Sequence, residues 1–521
     1  MAFSFMVLAI AGLLLCASAA AQQWGTWSTW GDQKNGTYRN PVIPADYSDI
    51  DCIRVGDDYY AISSTMQFSP GMVVLHSKDL VNWSILGHVI TDLTQIGPEL
   101  NWDKMNRYGR GVWAGAIRYH AKRFWVYFGA PDEGYFMTSA SNPSGPWEPL
   151  HRMLAGEGWN DPCPFWDDDG QGYIAGTNFR DGYKIHLWKL SPDSRDLVLD
   201  SDRVIHQSKG SEATKLYKFN GLYYHLFSEV KPEGRVVMMK RASNIYGPYT
   251  EPRQLNYADR PAMEPNQGGL VQTPAGDWYW FTHHGTGDWE GRAASLMPVR
   301  WIDGWPDIGH FVWSGNIPAG SRRRTAITMQ TSDEFANRTL GPQWEWNYQP
   351  RADKWSLTER PGWLRLHAFK PIAAGDLKKA GNTLTQRSFR TAQSDVVVQL
   401  DLSGMTDGQH AGLCHLSKDY SSIRVSQSQG TRTLQYEHAG NITNGPELKT
   451  SSIWLKSAWG LDGKSRYSYS LDGKTYSDFG GLYQLSWGHY RGDRIGLFTF
   501  NDFREAGFID VNYLRYGMTR Q

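Results

Sequence analysis

The chain has 521 residues, which is too long for a single hydrophobic core and predicts two domains. Its 53 basic and 53 acidic residues balance, so the sequence lacks the positive surface that nucleic acids and anionic membranes select. Aromatic residues make up 14% of the chain, and together with 54 Gly and 25 Pro they favour short strands, tight turns and flat platforms for sugar rings.

The N-terminus is an apolar run, FSFMVLAIAGLLLCASAAAQQ, that ends in small residues with an A-x-A pattern before Gln22. We therefore predict a signal peptide over residues 1–21 and a secreted protein, or a periplasmic one in a Gram-negative host. An uncleaved anchor is the alternative, because no Lys or Arg precedes the run and the run is long enough to span a membrane. Lipid attachment at Cys16 fits less well, since Leu15 stands where a small residue is expected. Buried free thiols are favoured over disulfides for the three remaining cysteines, Cys52, Cys163 and Cys414.

After an N-terminal extension over residues 22–39, one pattern recurs five times: a polar or glycine turn followed at once by an aromatic strand. The turns are GDDYY, HAKRFW, DDGQGYI, NGLYY and AGDWYW. Their spacings are 65, 48, 51 and 55 residues when measured from Asp57, Lys122, Gly170, Gly221 and Gly276. This is the length of one four-stranded blade, so residues 40–318 are predicted to form a five-bladed β-propeller. A β-sandwich with repeated hairpins is the alternative.

The character of the chain changes beyond the propeller. Residues 319–330 contain the basic segment SRRRTAITM and are predicted to be a linker. Residues 331–521 show alternating strands such as VVVQLDL, SSIRVSQ and FIDVNYLRY without the blade spacing. This pattern predicts a β-sandwich of the jelly-roll or concanavalin-like kind, so the fold class is all-β.

Three carboxylates stand at similar distances before their hairpins. Asp49, Asp161 and Glu212 each precede the turn of a blade by eight or nine residues. A single Asp before a turn is common for structural reasons. Three acidic residues at nearly the same distance from their turns are informative, because the first strand of each blade lines the central channel and equivalent positions meet at one end of the axis.

Two carboxyl groups that face each other across a sugar can hydrolyse a glycosidic bond, one as proton donor and one as the base that activates water. A third acid near the donor raises the donor's pKa through like-charge repulsion. The sequence has no HExxH, no CxxC pair, no G-x-S-x-G elbow and no phosphate-binding glycine loop. Metal-dependent hydrolysis, serine hydrolysis and nucleotide chemistry therefore lack support.

With these features the sequence resembles glycoside hydrolase family 43, in particular the β-xylosidases and α-L-arabinofuranosidases that carry a C-terminal β-sandwich. The resemblance spans nearly all of the mature chain, and seven blocks carry it in the expected order: NPVIPADYSDIDCIRVGDDYY, SPGMVVLHSKDLVNW, GVWAGAIRYH, WNDPCPFWDDDG, SEATKLYKFNGLYY, NQGGLV and GRAASLMPVRW. It implies an inverting hydrolase with a five-bladed propeller.

The resemblance also implies roles for individual residues. Asp49 matches the general base, Asp161 matches the acid that modulates the donor's pKa, and Glu212 matches the general acid. Inversion requires the carboxyls of the base and the general acid to lie about 6.5 to 9.5 Å apart. The resemblance implies that four further residues bind substrate: Arg292, Trp113, Phe68 and Gln267. For Phe68, packing in the core is an equal alternative.

Two departures and one open question accompany the resemblance. The family's usual proline after the base is Ile50 here, and the usual proline after GVWA is Gly115. No catalytic metal or other cofactor is implied. Some relatives hold a structural calcium ion on the axis through a histidine, and His283 and His284 lie in the matching block, with a core or surface histidine as the alternative.

We therefore predict an exo-acting inverting glycosidase that releases terminal xylose or arabinofuranose from plant cell-wall xylan or its oligosaccharides. Arabinanase or exo-β-galactanase specificity and a non-catalytic glycan-binding propeller are the alternatives. No nucleic-acid partner is expected, and no membrane contact after signal cleavage. The oligomeric state stays open. For the C-terminal domain we favour packing on the propeller over an independent polysaccharide-binding role.

Overall fold

The computed structural model describes residues 29–257, 266–284, 288–319 and 329–519. The predicted signal peptide lies outside these ranges, as does most of the predicted linker. Within the described ranges, no helix is long and apolar enough to cross a membrane. Short 3₁₀ helices span Leu93–Gln95, Pro98–Leu100, Phe179–Asp181, Ala352–Lys354 and Leu377–Lys379.

Strands and turns account for nearly all of the described residues, which confirms the all-β prediction. The strands of the N-terminal part are β1 (Gly31–Asp32), β2 (Thr37–Arg39), β3 (Asp51–Val55), β4 (Asp58–Ser63), β5 (Phe68–Ser69), β6 (Gly71–Ser77), β7 (Trp83–Ile90), β8 (Gly115–His120), β9 (Arg123–Ala130), β10 (Gly134–Ala140), β11 (His151–Ala155), β12 (Trp159–Trp166), β13 (Gly172–Asn178), β14 (Lys184–Leu190), β15 (Leu197–Gln207), β16 (Glu212–Phe219), β17 (Leu222–Lys231), β18 (Gly234–Ala242), β19 (Arg253–Gln254), β20 (Gly268–Gln272), β21 (Trp278–His284), β22 (Ala293–Ile302), β23 (Trp305–Asp307) and β24 (Ser314–Asn316).

The N-terminal part is a five-bladed propeller, as predicted. Its blades are the four-stranded antiparallel sheets β3-β4-β6-β7, β8-β9-β10-β11, β12-β13-β14-β15, β16-β17-β18-β19 and β20-β21-β22-β23. The first strand of each blade lies innermost: β12 packs against β8 and β16, and β20 closes the ring onto β3. At this closure a Cβ on Gly269 would lie 2.4 Å from the backbone nitrogen of Cys52, so the strands meet at a distance that only glycine allows. Part of the predicted N-terminal extension forms a small sheet, β1-β2-β24, beside the blades.

The C-terminal part consists of two large sheets packed face to face. Its strands are β25 (Glu345–Asn347), β26 (Trp355–Ser356), β27 (Leu364–His367), β28 (Leu384–Arg387), β29 (Gln393–Asp401), β30 (Gln409–Leu416), β31 (Tyr420–Ser428), β32 (Thr431–His438), β33 (Asn441–Leu448), β34 (Ser452–Gly460), β35 (Lys464–Ser470), β36 (Ser477–Asp478), β37 (Tyr483–Gln484), β38 (Arg494–Asn501) and β39 (Phe508–Met518). In β29 the buried Val396, Val398 and Leu400 alternate with partly exposed residues, which is the period of a strand with one face in a core. The predicted β-sandwich is therefore confirmed.

The propeller contributes a strand to the sandwich. The short β5, which follows the second strand of blade one, pairs antiparallel with β25 and becomes the edge of an eight-stranded sheet, β33-β32-β31-β30-β38-β28-β25-β5. This shared sheet joins the two domains through backbone hydrogen bonds. The three cysteines described, Cys52, Cys163 and Cys414, are free and buried, as predicted.

A buried ion cluster lies beside this shared sheet. The carboxylate of Glu345 accepts hydrogen bonds from Arg387 Nη1 at 2.9 Å and Arg494 Nη1 at 2.6 Å, and His88 Nε2 of the propeller lies 3.1 Å from it. All four side chains are almost fully buried. Arg387 Nε also donates to the backbone carbonyl of Asp46 at 2.6 Å. Asp46 lies three residues before the predicted base, Asp49. The sandwich thus holds the segment of the propeller that carries this residue.

Replacing Glu345 with Gln should destabilise the protein by about 3–5 kcal/mol, because two buried guanidinium groups would lose their counter-charge. Thermal or urea unfolding monitored by tryptophan fluorescence would measure the loss. Glu334→Gln is a matched control, because Glu334 pairs with Arg515 where both side chains are more than half exposed, and it should change stability by about 1 kcal/mol or less. Equal losses in the two variants would contradict the role given to the buried cluster.

Candidate active site

The predicted catalytic carboxylates lie where regular strand geometry breaks down at the start of the inner strands. Asp49 and Asp161 have φ angles of 55° and 53°, and Ala213, next to Glu212, has a φ of 58°. The pairing register shifts after Asn160 in β12 and after Glu212 in β16. Left-handed backbone at non-glycine residues is uncommon, and bulges of this kind re-aim side chains. Because the left-handed residue of blade four is Ala213, Glu212 stands one residue before the position that the two aspartates occupy.

Asp49 is held from three sides. Its Oδ1 accepts a hydrogen bond from Arg292 Nη1 at 2.7 Å, and its Oδ2 accepts one from Ser64 Oγ at 2.7 Å. Its backbone N–H donates to His283 Nδ1 at 2.8 Å. The carboxylate therefore has a fixed orientation and a permanent cation beside it, while its side chain stays 14% exposed. An oriented, ionised carboxylate at an opening is what a general base requires.

Asp161 is hydrogen-bonded to the backbone amide of the residue that follows Glu212. Asp161 Oδ2 accepts a hydrogen bond from the N–H of Ala213 at 2.5 Å, which places the two carboxyl groups in neighbouring blades side by side. Asp161 is 4% exposed. Burial, and after it the charge of Glu212, raises the pKa of Asp161 from 3.8 to about 7. Near neutral pH this part of the site therefore holds a proton that an ordinary aspartate would have lost.

Glu212 faces the opening. Its side chain is 29% exposed, and its Oε1 lies 3.0 Å from Arg235 Nη1. Arg235 is itself anchored on the carbonyl of Gly210 and on Ser228 Oγ. Local sequence reasoning missed Arg235, because it lies on β18 and no motif marks it. The guanidinium orients Glu212, and this ion pair must loosen before the glutamate can deliver a proton.

Aromatic rings from both domains surround the carboxylates. Trp113, predicted to bind substrate, donates from Nε1 to the carbonyl of Gly109 at 3.0 Å, and its ring lies 6.1 Å from Phe179 and 6.0 Å from Tyr490. Tyr490 belongs to the sandwich, is 50% exposed, and lies 5.3 Å from the guanidinium of Arg292. Its carbonyl accepts a hydrogen bond from Ser48 Oγ at 3.0 Å, next to the predicted base. Tyr490 and Phe179 were not predicted, since contacts over such separations leave no local signal.

Phe68 does not face the opening. Its ring is 1% exposed and lies 4.4 Å from the guanidinium of Arg491 and 3.9 Å from that of Arg494. Its backbone belongs to β5, which pairs with the sandwich. The substrate-wall interpretation of Phe68 is therefore corrected to the packing alternative, because the strand that carries it is used to join the domains.

Gln267 lies close to Asp49 without touching it. Its backbone N–H is 3.2 Å from His283 Nε2, the same imidazole that accepts from the Asp49 amide. The side chain is 4% exposed, and its Nε2 has no hydrogen-bond partner among the described residues. Gln267 thus stands at the start of the inner strand of blade five, at the same end of the axis as the three acids. Its role in substrate binding stays a prediction.

The two departures from the family pattern have local explanations. Ile50 is fully buried in the core that the propeller shares with the sandwich. At Gly115 a Cβ would lie 2.6 Å from the carbonyl oxygen of Tyr127, so this strand lies too close to its neighbour for any side chain. Neither position carries a group that titrates.

The histidines considered for calcium are not suited to hold it. His283 Nδ1 already accepts from the Asp49 amide, and burial with the nearby Arg292 charge lowers its pKa well below the usual value. His284 Nδ1 lies 2.7 Å from Ser295 Oγ, and burial lowers its pKa to about 3. Calcium prefers six to eight oxygen ligands. Among the described residues no group of three or more metal-ligating side chains occurs, so the donor set does not fit this ion.

Comparison with known proteins identifies the family. The sequence profile described as Glycosyl hydrolases family 43 matches residues 38–306, more than half of the chain. The chain belongs to glycoside hydrolase family 43. A second profile, the Beta xylosidase C-terminal Concanavalin A-like domain, matches residues 332–517, which agrees with the observed sandwich. The protein is therefore a glycoside hydrolase with a carbohydrate substrate, as the sequence predicted.

Individual relatives and solved structures support the assignment. The chain is 34% identical to a beta-xylosidase of Formosa agariphila over 98% of this chain and 97% of that protein. It is 31% identical to a non-reducing end alpha-L-arabinofuranosidase of Bacteroides ovatus over 66% of this chain and 67% of that protein. Among solved structures, a bifunctional GH43-CE protein of Bacteroides eggerthii superimposes with a TM-score of 0.82 at 30% identity, over 93% of this chain. The chain spans 64% of that longer protein.

The raised pKa of Asp161 predicts how its replacement depends on pH. Because the folded state binds this proton more tightly than the unfolded state, its contribution to stability is full below about pH 4 and is lost as the pH rises through about 7. Asp161→Asn removes the titration while keeping the shape. Relative to the parent, the variant should gain roughly 1–4 kcal/mol of stability between pH 4.5 and pH 8.

Urea unfolding of both proteins at the two pH values measures this gain, and any pH-independent cost of the amide cancels in the difference. Asp168→Asn is the control, since Asp168 is a turn carboxylate that is 87% exposed. A difference between Asp161→Asn and the parent that is the same at both pH values would contradict the burial argument.

Proposed function

We propose that this family 43 hydrolase is a secreted, exo-acting, inverting enzyme that releases terminal pentose, β-D-xylose and α-L-arabinofuranose, from xylan or arabinoxylan chains of plant cell walls. The observation that carries the proposal is the arrangement of three carboxylates at one end of the propeller axis, each in a different environment. Asp49 is paired with Arg292, Asp161 is buried and holds a proton near neutral pH, and Glu212 faces the opening.

The arrangement assigns the steps of hydrolysis. Asp49, oriented by Arg292 and Ser64, draws a proton from the water that attacks the anomeric carbon. Glu212 delivers a proton to the departing oxygen on the other face of the sugar. Asp161 accepts a hydrogen bond from the Ala213 amide beside Glu212, so the proton that this buried acid holds near neutral pH lies next to the proposed donor. Attack and departure on opposite faces in one displacement invert the anomeric configuration.

The walls of the site support exo action on short sugars. Tyr490 reaches from the sandwich to within ring contact of Trp113 and Arg292, so the second domain narrows one side of the opening. A site closed on one side accepts the end of a chain more readily than its middle. The names of the two relatives, a beta-xylosidase and an arabinofuranosidase, support the choice of pentose. Secretion rests on the N-terminal sequence, and sequencing the N-terminus of the exported protein tests it.

Substrate choice is tested by assaying aryl β-D-xyloside and aryl α-L-arabinofuranoside side by side, then xylobiose and arabinoxylan oligosaccharides. We expect activity on both aryl substrates and release of single pentoses from chain ends. Proton NMR during the first turnovers of an aryl β-D-xyloside, which releases a single sugar, should show α-xylose as the first-formed anomer. Initial formation of β-xylose would overturn inversion, and release of only long products would overturn exo action.

The two catalytic roles predict different responses to the leaving group. Glu212→Gln should lose about 10²–10⁴-fold in kcat on xylobiose, whose departing oxygen needs a proton, but much less on an aryl xyloside with an acidic phenol. Asp49→Asn should lose activity on both substrates, because water must be activated whichever group departs. Steady-state kinetics on the two substrates make the comparison, with Asp168→Asn as a folded control. A similar loss on both substrates for Glu212→Gln would exclude it as the proton donor.

A further inference from the structure

The propeller axis has a second opening, at the end away from the three carboxylates. The inner strands start near the acids and run toward it, and at about 3.3 Å per residue their last residues lie roughly 15–20 Å farther along the axis. There they enclose a cavity of about 400 Å³ to which every blade contributes. We call this opening the far mouth and define it by one residue from each blade: Arg54, Tyr119, Trp166, Phe219 and Gln272.

A buried charged layer separates the far mouth from the active site. Asp51 Oδ2 accepts a hydrogen bond from Arg118 Nη1 at 2.6 Å, and Asp51 Oδ1 lies 3.8 Å from Lys215 Nζ. Asp51 and Lys215 are fully buried on the axis, while Arg118 lines the cavity. A ligand in the far mouth therefore does not reach the acids, and the two openings are separate sites.

The far mouth is lined by aromatic rings that solvent reaches. Tyr119 is 45% exposed, and Trp166 is stacked on His120 at 4.5 Å with the rings almost parallel. Phe219 lies 5.3 Å from Trp278, so the opposite wall is aromatic as well. Concave, exposed apolar surface on a soluble protein usually marks a binding site. The volume also falls within the range of about 300–1,000 Å³ that is typical of small-ligand pockets.

The polar groups of the far mouth favour an uncharged ligand rich in hydroxyls. Two of its three cations have a counter-charge: Arg118 is paired with Asp51, and Lys218 with Asp167 and Asp168 at 2.6 and 2.7 Å. The third, Arg54, donates to the backbone carbonyls of Gln272 and Gly56, so its N–H groups are engaged in the wall and a single uncompensated charge remains at the rim. Gln272 and His120 supply neutral donors and acceptors beside the rings. Flat aromatic faces next to neutral polar groups match the C–H faces and hydroxyl rims of sugars.

We propose that the far mouth is a second, non-catalytic carbohydrate-binding site that holds a short neutral segment of a xylan-type chain. The ligand class rests on the proposed function, whereas the site and its residues are independent of the active site. A chain held there would keep the enzyme on its polysaccharide while the catalytic opening remains free for chain ends. Trp278, one of the aromatic residues of the five repeated turns, would then also serve binding.

Affinity electrophoresis of the full chain in native gels with neutral arabinoxylan tests the proposal, with Glu212→Gln in every protein to prevent degradation. Adding Tyr119→Ala should weaken retention about five- to tenfold, because one stacking platform is lost. Tyr246→Ala is the matched control, as Tyr246 is a 38% exposed tyrosine in a turn after β18 that does not line the far mouth, and it should leave retention unchanged. Trp278→Ala, on the opposite wall, is a second test variant.

The outcomes separate this proposal from the proposed function. In the otherwise unmodified enzyme, Tyr119→Ala should leave kcat/KM on an aryl xyloside unchanged. Unaltered retention in both Tyr119→Ala and Trp278→Ala would overturn the second site, whatever the activity. Equal retention by dextran, or stronger retention by anionic carboxymethyl cellulose, would overturn a neutral xylan ligand. Retention that depends on Tyr119 in an enzyme without xylosidase activity would support the site and overturn the function.

Discussion

The axis of a propeller is narrow, and a charge placed there is tolerated only if a counter-charge lies within reach. This enzyme meets the constraint at both the catalytic end and the middle of the axis, with one exception. At the catalytic end Arg292 holds Asp49 and Arg235 holds Glu212. In the middle, Arg118 and Lys215 flank Asp51. Asp161 is the exception: it lies among carboxylates without a direct cation, and its raised pKa is the physical result.

This unequal pairing sets Asp161 apart from the other two acids. A carboxyl that is buried beside another carboxyl and has no ion pair holds its proton more tightly, as Asp161 does, whereas Asp49 and Glu212 each have an arginine beside them. Glycoside hydrolysis needs both a protonated and an ionised carboxyl at one site at one pH. A left-handed residue at or beside each acid, with a bulge in two of the three inner strands, directs one carboxyl from each of three blades to the same opening.

The sandwich takes part in the site. Its Arg387 binds the Asp46 carbonyl, and its Tyr490 completes the wall that Trp113 begins. The buried Glu345 cluster and the shared strand β5 fix the relative position of the domains. The contacts of Arg387 and Tyr490 with the propeller are therefore held in one geometry. This agrees with the prediction that the second domain packs on the propeller, and the interface explains why Phe68, expected as a wall, was needed for packing.

The hairpin repeat was enough to predict the number of blades, the change of fold after the propeller and the convergence of Asp49, Asp161 and Glu212, because local turn chemistry and strand period are written in neighbouring residues. Arg235, Tyr490 and the burial of Phe68 could not be predicted in this way. Tyr490 and Phe68 depend on contacts between residues hundreds of positions apart, which leave no periodic trace in the chain. Arg235 lies only 23 residues from Glu212 in the same blade, but no motif marks an arginine on the third strand as its partner. The identity of the acids is thus a property of the sequence, whereas their protonation and the shape of the opening are properties of the folded assembly, since burial and neighbouring charges decide both.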